Sequence, residues 1–132
     1  MKASPSVWTG RVLSGLFVLF MLGASIAPKF LMADMVAEQN LIPLGWPAKY
    51  LLFIGLIELA CVVLYVIPRT SLLGAVLMTG LLGGAIATNL RVENPLFSHT
   101  LFGIYLGLFM WGGLWLRDAP LRALFPIRRN AP

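Results

Sequence analysis

The chain has 132 residues, of which 59% are hydrophobic and only 11% are charged, and its formal net charge is +5. A soluble domain carries about 25% charged residues, so this composition excludes a water-soluble globule and predicts a lipid bilayer around most of the surface. The basic residues lie at the ends of apolar stretches and in the C-terminal tail, without interleaved aromatic residues. This placement favours lipid headgroups over nucleic acid as their partner.

Four apolar segments approach or reach the length of about 20 residues that crosses a bilayer. They are Val12–Ala27, Tyr50–Ile67, Leu72–Thr88 and Thr100–Leu116. The first is short unless Trp8–Arg11 adds a turn, and we expect it to be a retained span because Pro28 would follow a signal-peptide cleavage site. Each segment is continuously apolar, whereas strands of membrane barrels alternate. The sequence therefore predicts one all-α domain over residues 1–132, an integral membrane four-helix transmembrane bundle.

The Lys and Arg residues are distributed unequally between the two ends of the predicted spans. Seven lie in the N-terminal segment, the second connection and the tail: Lys2, Arg11, Arg69, Arg117, Arg122, Arg128 and Arg129. The opposite side has three, namely Lys29, Lys49 and Arg91. Because basic residues concentrate on the cytoplasmic side, both termini are predicted to be cytoplasmic. The chain is expected in a cell membrane, the inner (plasma) membrane of a prokaryote, as a multi-pass protein.

The non-cytoplasmic connection over residues 28–49 is long for so small a protein. Its first half alternates apolar residues with Asp34 and Glu38, which predicts a short interfacial helix. Small residues recur at four-residue spacing in three spans, at Gly23–Ala27, Gly80–Gly84 and Gly103–Gly107. Such spacing lets membrane helices approach closely. It favours contacts inside the bundle, with a homodimer interface as the alternative.

Glu58 lies near the middle of the second span. A carboxyl group at that depth costs roughly 2.5 kcal/mol or more, and it persists where it faces a protein interior or a water-filled cavity. Gly55, Glu58, Cys61 and Tyr65 share one helix face, which we therefore turn inward. Thr79 in the third span is expected at similar depth, as a hydrogen-bond partner of Glu58. Cys61, the only cysteine, is interpreted as a small apolar filler.

Other polar residues concentrate near the non-cytoplasmic ends of the spans. They predict a cavity that is floored by Glu58, rimmed by Lys29, Asn89, Arg91 and His99, and has Tyr105 one to two turns below His99. Each rim residue also has a structural interpretation. Lys29 and Arg91 are suited to anchoring helices at the interface, His99 to capping the fourth helix and Asn89 to ending the third. One histidine, without an acidic pair inside the spans, predicts no metal site.

Several short stretches, in their order and spacing along nearly the whole chain, resemble the DoxX-like family of small four-helix membrane proteins. They are Pro28–Phe30, Gly45–Lys49, Gly55–Leu59, Ile67–Thr70, Gly83–Arg91 and Pro95–His99. The resemblance implies a four-helix bundle with Lys29, Glu58, Arg91 and His99 on matching family positions. Similar members often have His where this chain has Asn89. Because Asn takes up no proton and is a poor metal or haem ligand, no proton relay is expected there.

The resemblance also implies a link to quinone-coupled sulfur oxidation, from which the family takes its name, and to membrane oxidoreductase complexes. The first hypothesis is a redox-linked component that binds a quinone or similar lipophilic small molecule around Glu58, with Tyr105 and His99 at its head. No intrinsic cofactor is predicted, so a partner oxidoreductase subunit or a soluble donor would supply electrons. The alternative is a non-catalytic membrane protein: a small-molecule or proton-linked permease, for which a homodimer is expected, or an assembly factor for another membrane protein.

Overall fold

The computed structural model describes residues 4–128, and that part of the chain contains helices and no strand. Helices account for 87% of the structure. Four are long and apolar enough to cross a membrane: α1 (Pro5–Leu31), α2 (Ala48–Val66), α3 (Pro68–Arg91) and α4 (Leu96–Arg117). A short helix, α5 (Ala119–Leu124), follows. The predicted all-α four-helix membrane bundle is confirmed, while the cytoplasmic position of the termini stays a prediction. Lys2 and Arg129 lie outside the described residues.

Helix α1 is longer than the apolar segment Val12–Ala27 that predicted it. At its N terminus the Ser4 side chain accepts a hydrogen bond from the Val7 backbone N–H at 3.3 Å, and Pro5 occupies the first turn. Proline suits that position because its missing N–H would have no partner there. At the other end the helix continues through a π-helical segment, Met21–Ile26, to Leu31. The resulting 27 residues are ample to cross a bilayer.

The predicted long connection is largely helical. The helical path is broken at Met32 and resumes as three short segments, Ala33–Val36, Ala37–Leu41 and Ile42–Leu44. Ala37 and Leu41 are buried against Leu51 at the start of α2. The chain then turns back at Gly45, whose φ of +89° is accessible to glycine at little strain. The connection therefore packs onto the bundle as a compact cap.

The four helices pack in a ring in which α1 contacts α4 and α2, and α3 contacts α2 and α4. Two close approaches require glycine. A Cβ added at Gly10 in α1 would lie 2.6 Å from the Gly113 carbonyl oxygen in α4, and one added at Gly74 in α3 would lie 2.5 Å from the Tyr65 backbone nitrogen in α2. These glycines let the backbones come closer than side chains would allow, as is common between membrane helices.

The core fills the centre of this ring. Its most deeply buried large side chains are Phe17, Tyr65, Met78, Met110 and Leu114. On α2, the buried face includes Gly55, Glu58, Cys61 and Tyr65, so the inward orientation predicted for this face is confirmed. Cys61 packs within the apolar core cluster.

The structure corrects the role of the small-residue spacings. A Cβ added at Gly23, Gly80, Gly84 or Gly107 would meet nothing within 4 Å. The expectation that these glycines pack inside the bundle is therefore wrong, and the Gly80–Gly84 face of α3 points outward. Only Gly103 behaves as expected, since a Cβ there would lie 3.0 Å from the Ile86 side chain.

We expect Gly74→Ala to lower the free energy of unfolding by about 1–3 kcal/mol, because its methyl group would overlap the α2 backbone. The matched control is Gly80→Ala on the same helix, where the methyl group has open space and alanine has the higher helix propensity. Denaturation in mild detergent measures both. Equal stability of the two variants would contradict the close α2–α3 approach.

Candidate functional site

An ion pair between Lys29 and Glu58 connects α1 to α2. The Lys29 Nζ atom lies 3.0 Å from Glu58 Oε1 and 3.3 Å from Oε2. The same ammonium group donates to the backbone oxygen of Ser25 at 3.0 Å and to its hydroxyl oxygen at 2.9 Å, while that hydroxyl donates to Glu58 Oε2 at 2.8 Å. Three side chains from two helices therefore form a ring of mutual hydrogen bonds, which we call the ion-pair cluster.

Local sequence places the three groups together. Ser25 and Lys29 are four residues apart and thus share a face of α1. They flank the end of the π-helical segment Met21–Ile26 and the proline at position 28. Since proline has no N–H to continue the regular bonding, the helix is irregular where the lysine ammonium bonds back to the Ser25 carbonyl. π-helical segments of this kind are frequent at functional sites.

The ion-pair cluster is mostly buried, but part of each charged side chain is still accessible. The side chains of Lys29 and Glu58 are 14% and 9% exposed, respectively. Within residues 4–128 this is the only ion pair between side chains of opposite charge. Ionisable groups within a membrane almost always pair or face a cavity, because lipid solvates charge poorly. The pair explains how the bundle tolerates a carboxylate in α2.

Thr79 forms no hydrogen bond with Glu58, and the bond predicted between them is wrong. The Thr79 hydroxyl donates to the Ala75 carbonyl oxygen at 2.7 Å and accepts from the Trp111 indole N–H at 2.8 Å. Thr79 therefore lies on the face of α3 that meets α4. The carboxylate of Glu58 instead points toward α1, where Lys29 and Ser25 satisfy it.

The remaining predicted site residues make their hydrogen bonds elsewhere. The Asn89 side chain donates to Ala85 O at 2.8 Å and accepts from Asn94 at 2.7 Å, which ends α3. His99 Nδ1 lies 2.8 Å from the Ser98 hydroxyl, and the Tyr105 hydroxyl donates to Phe97 O at 2.9 Å. His99 and Tyr105 are exposed. The structure thus brings Lys29 and Glu58 into contact, and leaves Asn89, His99 and Tyr105 apart from them.

Arg91 lines a shallow groove at the end of the bundle where α3 ends and α4 begins. Its guanidinium group donates to Leu44 O at 3.0 Å and holds the Gly45 turn against the end of α3. The groove measures about 390 Å³ and is lined by Trp46, Tyr50, Thr88 and Arg91 among others. The sequence predicted a single cavity with Glu58 at its floor and all four polar residues at its rim. That cavity is not found, because the groove that Arg91 lines does not include Glu58.

The ion-pair cluster contains one residue, Ser25, that was not predicted as part of a site. Ser25 contributes a hydroxyl to both charged groups, and its signal in the sequence was the spacing of four residues to Lys29. The partner of Glu58 was hidden because the first span was expected to end at Ala27. With α1 continuing to Leu31, Lys29 lies within the helix and not beyond it.

The fold and the ion-pair cluster define an integral membrane protein, a small helical bundle with a charged pair between its first two spans. A model of the DoxX-like family matches residues 12–113. The chain therefore belongs to the DoxX-like family, in agreement with the resemblance of its short stretches. No curated protein and no solved structure matches the chain.

We expect Lys29→Met alone to destabilise the protein by about 3–5 kcal/mol, because it leaves the Glu58 carboxylate unpaired. The double variant Lys29→Met with Glu58→Leu removes both charges and is expected to recover much of that loss. Unfolding free energies of the wild type, both single variants and the double variant measure the coupling. Additive losses would contradict an energetically coupled pair.

Proposed function

We propose that the protein is a redox-linked membrane component that binds the head of a quinone, or of a similar lipophilic small molecule, beside the ion-pair cluster. The observation that carries this proposal is the Lys29–Glu58 pair itself, located between two membrane helices with part of each side chain still accessible. Intramembrane ionisable residues commonly mark ligand or proton pathways. The family's link to quinone-coupled chemistry supports the same interpretation.

The residues around the pair suit a planar, carbonyl-bearing head. The Lys29 ammonium has three protons, which are shared among four nearby oxygens of Ser25 and Glu58. An incoming carbonyl oxygen can take the place of the Ser25 hydroxyl without separating the two charges. The ring of Phe30 lies over Gly55, which is one helical turn from Glu58, and Phe30 is 41% exposed. That ring offers a flat apolar surface toward the lipid.

A bound quinone supplies two-electron, two-proton chemistry, with electrons from a redox-active partner subunit or a soluble donor. In the proposed site, Lys29 donates a hydrogen bond to the head, and Glu58 keeps the ammonium group oriented. Glu58 Oε1 is bonded only to Lys29 among residues 4–128, so it is the oxygen suited to exchange a proton. His99 and Tyr105 bond elsewhere and receive no role in this site.

A second candidate function is favoured by the outward glycines of α3. Gly80 and Gly84 leave an unfilled surface on the helix, and small-residue surfaces of this spacing are typical of helix–helix contacts in membranes. Such a surface fits a non-catalytic assembly factor that holds another membrane protein, or a permease that works as a homodimer. In either case the ion-pair cluster would serve packing or proton transfer, without a resident ligand.

We expect a quinone to co-purify with the wild-type protein in mild detergent and to be retained about tenfold less by Glu58→Gln. This variant removes the carboxylate that orients the ammonium donor, and a hydrogen bond to a charged group contributes about 1.5–3 kcal/mol. Mass spectrometry of solvent extracts, normalised to protein, measures the retained ligand.

Arg69→Gln is the control, because it removes an exposed charge from the first turn of α3 and touches no part of the ion-pair cluster. Thermal unfolding of every variant separates loss of ligand from loss of fold. Equal quinone in all samples, or none in any of them, would contradict the proposal. An empty wild type that captures another membrane protein through α3 would support the second candidate.

A further inference from the structure

A second polar cluster lies at the opposite end of the bundle, where α1 begins, α4 ends and α2 is connected to α3. It borders an open groove of about 540 Å³ between α1, the end of α2 and the end of α4. The charged residues lining this groove are Arg11 and Arg117. The rest of its wall is mostly apolar and includes Val18, Leu19 and Val66. The groove thus combines two cations with a surface suited to hydrocarbon.

Arg117 is held in a fixed orientation by buried groups. The Tyr65 hydroxyl donates to Met110 O at 2.6 Å, so its oxygen accepts from the Ser14 hydroxyl at 2.8 Å. The Ser14 oxygen in turn accepts from Arg117 Nε at 3.1 Å. Ser14 and Tyr65 are 7% and 1% exposed, and the guanidinium carbon lies 5.4 Å from the centre of the Tyr65 ring. This chain of bonds aims the guanidinium group into the groove.

The outer nitrogens of Arg117 are left available. Within residues 4–128, Arg117 forms no ion pair with a carboxylate, and its only hydrogen bond uses Nε. Arg11 likewise has no carboxylate partner in that part of the chain, and its guanidinium group lies 4.9 Å from the centre of the Trp8 ring. Trp8 is 58% exposed, as expected for an aromatic residue at headgroup depth. Two guanidinium groups therefore face the headgroup region without a counter-ion from the described protein.

We propose that this groove binds an anionic phospholipid, with its phosphate between Arg11 and Arg117 and an acyl chain along α1 past Gly15. Guanidinium groups suit phosphate because they donate paired hydrogen bonds. Two cations favour a headgroup with net negative charge over a zwitterionic one. A Cβ at Gly15 would meet nothing within 4 Å, so the wall beside the arginines is open for a chain. This site is separate from the ion-pair cluster.

A soluble anion such as inorganic phosphate shares the headgroup chemistry, but it makes no use of the apolar wall. The groove opens sideways along a membrane helix, where an acyl chain is already present in the bilayer. Lipid is therefore the source that fits both halves of the groove. The variant that distinguishes the two sources is Gly15→Leu, which fills the chain slot and leaves both arginines in place.

The test is native mass spectrometry of the full-length protein released from detergent after equilibration with equal amounts of phosphatidylglycerol and phosphatidylcholine. We expect the wild type to retain phosphatidylglycerol preferentially. Arg117→Gln and Arg11→Gln should each reduce that retention about tenfold, since each removes charge-assisted hydrogen bonds. Arg69→Gln, which removes an exposed charge at the same end of the bundle, should reduce it at most about fivefold.

Gly15→Leu should also reduce retention of phosphatidylglycerol, and added inorganic phosphate should not displace the lipid from the wild type. Arg11 is exposed, and Gly15 faces open space. Arg11→Gln and Gly15→Leu are therefore expected to keep the fold even where Arg117→Gln loses it. Equal losses in Arg11→Gln and Arg69→Gln would show a surface-charge effect and overturn the proposal. Full retention of phosphatidylglycerol by Gly15→Leu, or its displacement by inorganic phosphate, would show that the groove binds only an anion. Either result would also overturn the proposal.

Discussion

Lys29 and Glu58 carry charges that lipid does not solvate, and the bundle satisfies both by placing them 3.0 Å apart between α1 and α2. This contact determines the relative rotation of the two helices, because turning either one would expose a charge to lipid. It also determines which face of α2 reaches the core, since Cys61 and Tyr65 lie on the same side as Glu58. The other contacts of the ring, α1 with α4, α2 with α3 and α3 with α4, are close approaches at glycines.

The same contact distinguishes a functional interpretation from a purely structural one. Replacing a buried ion pair with apolar residues is often neutral or stabilising, so packing alone gives little reason for two charges at this depth. The pair remains 14% and 9% exposed beside an exposed phenylalanine ring, and this accessibility is the basis of our proposal that it contacts a small lipophilic molecule. At the other end of the bundle, the groove lined by Arg11 and Arg117 is apolar apart from a few polar groups, and for it we propose a different contact, with the headgroup and chain of a phospholipid.

The position of Glu58 and the inward face of α2 followed from the sequence, because a carboxyl group in a nearly uniform apolar segment has one acceptable direction. The partner of Glu58 did not follow. Pro28 predicts a helix boundary, and only continuation of α1 past it brings Lys29 beside the carboxylate. The outward direction of Gly80 and the bond between Thr79 and Trp111 depend on the rotation of α3. Apolar periodicity does not specify that rotation when every face of a helix is apolar.

The contact between Lys29 and Glu58 is tested most directly by a distance measurement in lipid bilayers, using solid-state nuclear magnetic resonance. Lysine Nζ is labelled with ¹⁵N and the glutamate side-chain carboxyl with ¹³C, so that three lysines and three glutamates of the chain carry a label. Pairing of Lys29 with Glu58 predicts a strong dipolar coupling that reports contact between one ammonium and one carboxylate, and its disappearance in Glu58→Gln. Absence of that coupling in the folded wild type would contradict the pairing of Lys29 with Glu58.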